Sequence, residues 1–200
     1  LYDIGVVPTS EPYQRRISHG MILAPDGQKM SKSRGNVINP DKIVEEYGAD
    51  VLRIYEMFMG PYDQAVSWDL NGVKGAARFV ERVYNFDKFI EKCDQEVENF
   101  LHKTIKKVSK DIDERRFNTA ISAMMIFVNK IYEKGCCKDC FKKFLLLLCP
   151  FAPHLAEELF VALQLSHGDK SSIFLSEWPT FDAAKVVDQM IEVVVQVNGK

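Results

Sequence analysis

Two lysines and two serines share residues 29–33, whose sequence is Lys-Met-Ser-Lys-Ser, and Arg-Gly-Asn follows at residues 34–36. Ammonium groups on long side chains, hydroxyl donors and exposed backbone N–H groups are the contacts that a polyphosphate needs. The glycine allows a loop to fold closely around such a ligand. The pattern therefore predicts a phosphate-binding loop. The alternative is a basic surface turn that follows a hairpin.

The flanking sequence predicts elements that hold this loop at an edge. An apolar run at residues 19–23 is strand-like, and residues 24–27, Ala-Pro-Asp-Gly, have a turn composition. Downstream, Asn39 is a candidate N-cap, Pro40 fits the first helical position, and Gly48 ends that helix. We expect the strand and turn to deliver both lysines to a place where they can swing over a ligand.

Helical periodicity covers most of the remaining chain. Apolar residues recur at three- and four-residue spacing from residue 43 to residue 59, and Gly60-Pro61 then breaks the pattern. Further amphipathic helices are predicted at residues 73–90, 100–113, 118–133 and 139–148, and a last one begins at residue 153. Residues 191–197 predict a strand, with an Asn-Gly turn after it. The predicted fold class is mainly α: a helical bundle preceded by a small α/β part that carries the loop.

Charge is distributed unevenly along the 200 residues. The net charge is -2, yet residues 101–143 hold 11 Lys/Arg against 5 Asp/Glu. A basic middle in an acidic chain indicates a polyanionic partner, and the alternative is a solvated helix face. No apolar run approaches the roughly 20 residues of a membrane span, so no membrane association is predicted. The candidate phosphate contacts are Arg78, Arg82, Lys103, Lys106, Lys107, Lys110, Arg115 and Arg116.

The five cysteines are an odd number and lie mostly in helical patterns, which favours reduced thiols and a cytoplasmic location. Cys137 and Cys140 have CxxC spacing, and Cys136 adds a third thiol. Zinc needs four ligands, and no second CxxC or HxxxH supplies the others, so no metal site is predicted. Incidental cysteines are the favoured interpretation, with a metal site and a redox pair as alternatives.

Two other residues have competing interpretations. Trp68 either stacks on a nucleic-acid base or packs in the core, and core packing is favoured. His154 follows a proline, and we expect it to cap or pack at a helix start rather than to act in catalysis.

Four sequence blocks together resemble the C-terminal part of bacterial-type leucyl-tRNA synthetases, over essentially all 200 residues. Residues 29–33 resemble the KMSKS signature loop of the class I aminoacyl-tRNA synthetases. The first block alone also suits valyl, isoleucyl or methionyl relatives, whereas the second block and the VQVNGK sequence at residues 195–200 favour leucyl members. The blocks are SHGMIL at 18–23 with KMSKSRGNVINPDKIVEEYGAD at 29–50, YGADVLR at 47–53 with GVKGAARF at 72–79, FNTAI at 117–121, and LLLCPFAPHLAEELF at 146–160.

The resemblance implies a function for the whole enzyme. It would activate leucine with ATP and Mg²⁺, release pyrophosphate and pass leucine to tRNA(Leu), in the cytoplasm and as a monomer. Lys32 is the first candidate for contacting the transferring phosphates, and Lys29 is the second. The helices would form the anticodon-binding-type bundle, which contacts tRNA through the eight cations named above. The implied ATP-binding residues are Lys29, Met30, Ser31, Lys32 and Ser33.

The sequence also departs from a complete synthetase. The His-Ile-Gly-His-like signature is absent, and so is the nucleotide-binding first half. We therefore expect a fragment that is inactive by itself: residues 1–60 would end the catalytic domain, 61–188 form the bundle and 189–200 begin a further domain. The alternatives are a non-catalytic helical tRNA-binding module, or the same part of a valyl, isoleucyl or methionyl enzyme.

Overall fold

Strong helix-start signals recur along the chain and account for its architecture. In the computed structural model, which describes residues 1–164 and 171–186, the side chains of Asn39, Asp69 and Asp94 each accept a hydrogen bond from a backbone N–H of the following helix. Pro40 occupies the first helical position as expected. The described helices are α1 (Pro40–Tyr47), α2 (Ala49–Phe58), α3 (Leu70–Tyr84), α4 (Gln95–Asp113), α5 (Phe117–Lys134), α6 (Lys138–Leu148), α7 (Pro153–Gln164) and α8 (Ala183–Val186).

A small α/β part precedes the bundle. Strand β1 (Ile22–Leu23) pairs in parallel with β2 (Val66–Ser67), with Ile22 opposite Val66. Gly20 lies against the neighbouring chain so closely that a Cβ atom there would stand 1.8 Å from the carbonyl oxygen of Gln64. Only glycine fits this approach, and it holds the start of β1 against the segment before β2.

The predicted mainly-α bundle is confirmed, and its core is continuous. One cluster of buried side chains extends from Ile54 of α2 through Leu101 of α4 to Phe144 of α6. Helices α4 and α5 pack against each other along their length. Trp68 is 6% exposed and meets the Tyr55 ring edge-on, with the ring centroids 4.9 Å apart, so its predicted core role is confirmed.

Polar contacts join α2 to the start of α7, between segments that lie about 100 residues apart in the chain. The buried carboxylate of Asp50 accepts the Leu155 backbone N–H at 2.7 Å and lies 2.8 Å from Nδ1 of His154. Arg53 donates to the carbonyl oxygens of Pro150 and Phe151 at 2.8 and 3.2 Å. Asp50 thus caps the start of α7 from another helix. His154 lies at this helix start as predicted, but its side chain is exposed and contacts Asp50 instead of packing in the core or forming the cap itself.

Two helix boundaries differ from the sequence prediction. The helix predicted at residues 73–90 ends at Tyr84, because the chain turns at Asn85 and buries Phe86 from a loop, where its ring stacks 5.0 Å from that of Phe141. The helix predicted from residue 100 begins at Gln95, where the side chain of Asp94 caps it. The strand predicted at residues 191–197, its turn and the segment 189–200 lie outside the described residues. Among the described helices, no stretch combines the length and apolar character that crossing a membrane requires.

Candidate functional site

Residues 24–29 form a tight hairpin that carries the lysine-rich loop. The Ala24 N–H donates to the Gln28 carbonyl at 2.9 Å, and Leu23 pairs in antiparallel fashion with Lys29. Gly27 has φ +76°, and the Asp26 carboxylate accepts the Gln28 N–H at 3.0 Å. The expected turn is therefore present, with glycine at the position that needs a left-handed backbone. Buried Ala24 anchors its base.

Hydrogen bonds inside the loop shape residues 29–36. The Asn36 side chain accepts the Ser31 N–H at 2.8 Å and donates to the Lys29 carbonyl at 3.4 Å, so it ties the two ends together. The hydroxyl groups of Ser31 and Ser33 lie 2.8 Å apart. Residues 32–34 form a single 3-10 turn that ends at Gly35, where φ is +66°. The backbone is thus organised without any contact that consumes the lysine side chains.

Among the described residues, no acidic side chain pairs with the lysine ammonium groups of this loop. Lys29 and Lys32 are exposed, and neither forms an ion pair or side-chain hydrogen bond with residues 1–164 or 171–186. Arg34 differs, because it donates to the Gln28 side chain at 3.3 Å. Met30, which lies between the two lysines in the sequence, packs against the core and anchors the loop to it. The loop therefore presents two unpaired positive charges on a defined backbone.

The predicted basic region of α4 and α5 is electrostatically different. Asp111 is fully buried, and its carboxylate pairs with Lys107, with Arg116 at 3.2 Å and with the Thr119 hydroxyl at 2.6 Å. Arg116 also pairs with Glu114. Two of the predicted phosphate contacts are therefore engaged in holding a buried carboxylate.

The other predicted cations divide into engaged and free groups. Arg82 donates to Asn129 at 2.7 Å and lies over the Tyr132 ring, 4.8 Å from its centroid. Lys110 is 4.0 Å from Glu114, an exposed pair, and Lys103 is half-buried. Lys106 lies 5.6 Å from the Phe181 ring centroid. Arg78 is exposed and has no polar partner in the described part of the chain.

A groove beside the α4–α5 corner collects arginines that the sequence prediction only partly included. Arg15 and Arg16 line a cavity of about 660 Å³ together with Arg115 and Arg116. Arg115 has φ +57°, a strained value for a residue with a Cβ atom, which turns the chain between the two helices. The guanidinium groups of Arg15, Arg16 and Arg115 have no hydrogen-bonding partner among the described residues. No sequence signal linked Arg15 and Arg16 to this corner, since about 100 residues of chain separate them.

The structure also brings together thiols that the sequence analysis kept apart. Cys93 joins Cys137 and Cys140, with the three sulfur atoms within 4.8 Å of one another, and all five cysteines are free thiols. Burial and a hydrogen bond with Cys137 raise the pKa of Cys93 to about 12. Burial also acts on Cys137, but hydrogen bonds from Cys93 and Cys140 outweigh it and lower the pKa of Cys137. The contact with Cys136, reinforced by burial, raises the pKa of Cys140.

Comparison with known protein families assigns the chain. Residues 94–200, more than half of it, match the family described as the anticodon-binding domain of tRNA ligase. The chain belongs to this tRNA ligase family. Residues 6–69 of the ligase chain match a second family, described as tRNA synthetases class I (I, L, M and V), and this match contains the whole lysine-rich loop.

Individual relatives of the ligase chain are of the leucyl type. It is 48% identical to the leucine–tRNA ligase of Alkaliphilus oremlandii (strain OhILAs), in an alignment that covers 100% of the chain and 25% of that protein. It superposes on LeuRS from the ternary LeuRS–tRNA–LeuAMS complex of Agrobacterium radiobacter K84 agnB2 with a TM-score of 0.78 and 32% identity, over 93% of the chain and 26% of that protein. The predicted leucyl resemblance is thereby confirmed. The chain spans about a quarter of these relatives.

A more distant match concerns the fold alone. The Mycobacterium tuberculosis methionyl-tRNA synthetase in complex with methionyl-adenylate superposes with a TM-score of 0.57 at 17% identity, over 80% of the chain and 43% of that protein. The arrangement of helices is therefore similar in a methionyl enzyme, although the sequence is not.

Proposed function

We propose that this chain is part of a leucine–tRNA ligase that activates leucine with ATP and transfers it to tRNA(Leu). The observation that carries the proposal is that the ammonium groups of Lys29 and Lys32 both lack a partner among the described residues, on an organised loop. The chain that holds this loop is 48% identical, over its own whole length, to part of a leucine–tRNA ligase. The activity belongs to the full-length ligase, and residues 1–200 supply the phosphate-contacting loop and a tRNA-contacting bundle.

Electrostatic stabilisation is the chemical role of the loop. When the leucine carboxylate attacks the α-phosphate, negative charge develops on that phosphate and on the departing pyrophosphate. An ammonium group stabilises the reaction most where that charge is greatest, and we assign this role to Lys32, with Lys29 in support. Ser31, Ser33 and the Gly35 backbone shape the loop. We expect Mg²⁺ to arrive bound to ATP, because residues 29–36 contain no carboxylate.

The bundle's contribution would be to hold tRNA through cations that are not consumed by internal ion pairs. Arg78, Lys106 and Arg115 are the predicted contacts that fit this condition best, and Arg15 and Arg16 extend the set at the groove. Phosphate contacts of this kind position a nucleic acid and give binding a strong salt dependence. Lys107, Arg116 and Arg82 would contribute indirectly, by fixing the helices that carry the free cations.

Amino-acid-dependent exchange of pyrophosphate into ATP tests the proposal. The full-length ligase is assayed with leucine, valine, isoleucine and methionine, and then with tRNA(Leu) for aminoacyl transfer. We expect exchange with leucine to exceed that with the other three by orders of magnitude, because a synthetase pocket discriminates among side chains of different size and shape. Preferential exchange with valine, isoleucine or methionine would assign a different member of the class. Exchange with none of the four would leave a non-catalytic tRNA-binding module.

A further inference from the structure

Three cysteines from two distant parts of the chain converge beside the bundle. Cys93 lies in the loop just before α4, Cys137 is the N-cap residue of α6, and Cys140 is in the first turn of that helix. Their sulfur atoms all lie within 4.8 Å of one another, although 44 residues separate Cys93 from Cys137. Among the described residues, no other group of three or more Cys, His, Asp or Glu side chains brings its ligand atoms close enough to share one ion.

The backbone around the thiols is fixed by pairing between the two segments. Phe89 and Cys136 form a parallel bridge, in which the Cys136 N–H donates to the Lys88 carbonyl at 3.0 Å and the Ile90 N–H donates to the Cys136 carbonyl at 3.1 Å. Gly135 has φ +81°, and a Cβ atom there would lie 3.0 Å from the Ile90 side chain. The loop that holds Cys93 is therefore held against the start of α6 independently of its sulfur atom.

A backbone hydrogen bond reaches one sulfur atom of the cluster. The backbone N–H of Cys137 donates to the Cys93 sulfur at 2.9 Å, an interaction that favours a negative charge on sulfur. Three thiolates and a divalent cation leave a net charge of about −1. The cavity beside them is lined by lysines and carboxylates in equal number, so charged groups of both signs surround the site: Lys92, Lys138, Lys143, Glu91, Glu98 and Asp139. The cavity has a volume of about 590 Å³, so a further ligand such as water has access.

We propose that Cys93, Cys137 and Cys140 bind one zinc-type cation through their sulfur atoms, with the fourth coordination position facing the cavity. Soft thiolate ligands select zinc among the common cellular divalent cations. Zn–S bonds of about 2.3 Å in a tetrahedral site place sulfur atoms about 3.8 Å apart. Binding would require only a small outward rotation of Cys93 and Cys137, whose sulfur atoms lie 2.9 Å apart. The ion would displace the thiol protons and clamp the loop before α4 to α6.

A disulfide between Cys93 and Cys137 is the competing use of the same residues. It would use two sulfur atoms and leave Cys140, which is buried, as an unexplained third member of the cluster. A metal ion uses all three. The proposal concerns the bundle alone and does not depend on which amino acid the ligase activates.

Metal content of the full-length ligase, purified under reducing conditions, tests the proposal. We expect Cys93→Ser and Cys140→Ser each to contain one zinc ion per chain fewer than the unaltered protein, whereas Cys149→Ser should retain its zinc. Cys149 is the matched control because it is a half-buried thiol at the C-cap of α6, the opposite end of the helix from the cluster. The difference between variants isolates this site from any other zinc site in the protein.

Cobalt substitution of the unaltered protein provides a measurement that needs no variant to fold. Zinc-depleted ligase titrated with Co²⁺ should develop a thiolate-to-cobalt charge-transfer band and tetrahedral d–d bands, and Cys149→Ser should develop the same bands. In Cys93→Ser the charge-transfer intensity should fall. Equal zinc content in Cys93→Ser, Cys140→Ser and Cys149→Ser would overturn the proposal. It would also be overturned if the protein as purified held a Cys93–Cys137 disulfide and no zinc at this site, detected by mass spectrometry after alkylation.

Discussion

Lysine, arginine and hydroxyl side chains cluster at two places in this chain, the loop of residues 29–36 and the corner between α4 and α5. In the loop, serine and asparagine side chains bond to one another or to the backbone, and Lys29 and Lys32 keep their charges free. At the corner, Lys107 and Arg116 surround a buried carboxylate. The comparison teaches that lysines and arginines are left free or are paired according to the acids that the fold places beside them.

The largest effect should come from removing the acid at the corner. Asp111→Ala removes three hydrogen bonds to a buried charged acceptor, from Lys107, Arg116 and the Thr119 hydroxyl. Hydrogen bonds to charged groups contribute about 1.5–3 kcal/mol each, so we expect a total cost of about 3 kcal/mol or more. We expect a clear loss of stability, measured as the thermal midpoint of helix unfolding by circular dichroism. Asp113→Ala is the control on the same helix, because its side chain is exposed and unpaired among the described residues, and should change stability by about 0.5 kcal/mol or less. Equal effects of the two substitutions would remove the basis of the comparison.

The second effect concerns the free cations of the loop. Lys32→Ala in the full-length ligase should slow leucine-dependent pyrophosphate exchange about a hundredfold, because the lost ammonium stabilises mainly the transition state. Leucine binding and the melting temperature should hardly change, since an exposed, unpaired side chain contributes little to stability. Lys29→Ala should act in the same direction but less strongly.

Lys42→Ala is the control for the loop variants, because Lys42 is an exposed lysine on α1 with no polar partner in the described residues. Its exchange rate should equal that of the unaltered ligase. A near-normal rate for Lys32→Ala would show that a free charge in this loop is not sufficient for a role in phosphate transfer. The main phosphate contact would then lie elsewhere.

A third and smaller effect separates free from paired cations within the bundle. Arg115→Ala should weaken tRNA(Leu) binding several-fold and lower the salt dependence by about one counterion, as expected for a lost phosphate contact. Lys107→Ala should leave the affinity and its salt dependence nearly unchanged while lowering the melting temperature. Binding measured across a series of salt concentrations distinguishes the two. Equal losses of affinity would mean that the ion pair with Asp111 opens when tRNA binds.

The smallest expected effect depends on a proton. Burial, followed by the charges of Lys185 and Lys143, lowers the pKa of His102 from 6.5. Its neutral ring accepts the Asp182 N–H at Nδ1 at 3.0 Å. Because the folded pKa is below the unfolded one, this stabilisation is present above about pH 6.5 and is lost as pH falls through the lowered folded value. We expect the protection factors for hydrogen exchange at Asp182 and in α8, corrected for the intrinsic exchange rate at each pH, to fall between pH 7 and pH 5. This fall should be absent in His102→Gln, and a persistent fall there would assign it to another group.

Local signals made most of the fold predictable. An Asn-Pro pair such as Asn39-Pro40 favours a helix start when apolar residues follow it at helical spacing. The sequence Ala-Pro-Asp-Gly favours a turn through the backbone preferences of its own residues. The end of α3 was mispredicted because Phe86 continues the apolar spacing of the helix, although tertiary packing buries it from a loop. Periodicity reports which side chains are buried and does not state which backbone conformation buries them.

The sites were predictable to the extent that they are contiguous. The lysine-rich loop could be recognised because all its members lie within eight residues. The thiol cluster was missed because Cys93 comes from a segment 44 residues away from Cys137. The pairing of Lys107 and Arg116 with Asp111 was missed for a different reason. Sequence spacing places these charges near one another, but only the fold shows that the carboxylate is buried and therefore holds its partners.

The contacts of α2 with the start of α7 constrain how the gene for this chain can recombine with those of its relatives. The two family matches leave a gap at residues 70–93, which looks like a natural crossover point. Asp50 and Arg53 lie on one side of that gap, and the backbone groups that they bind, at residues 150–155, lie on the other. A chimera joined there would inherit the cap from one parent and the capped helix from another. Recombination between relatives therefore preserves this cap only when α2 and residues 150–155, at the start of α7, are transferred together.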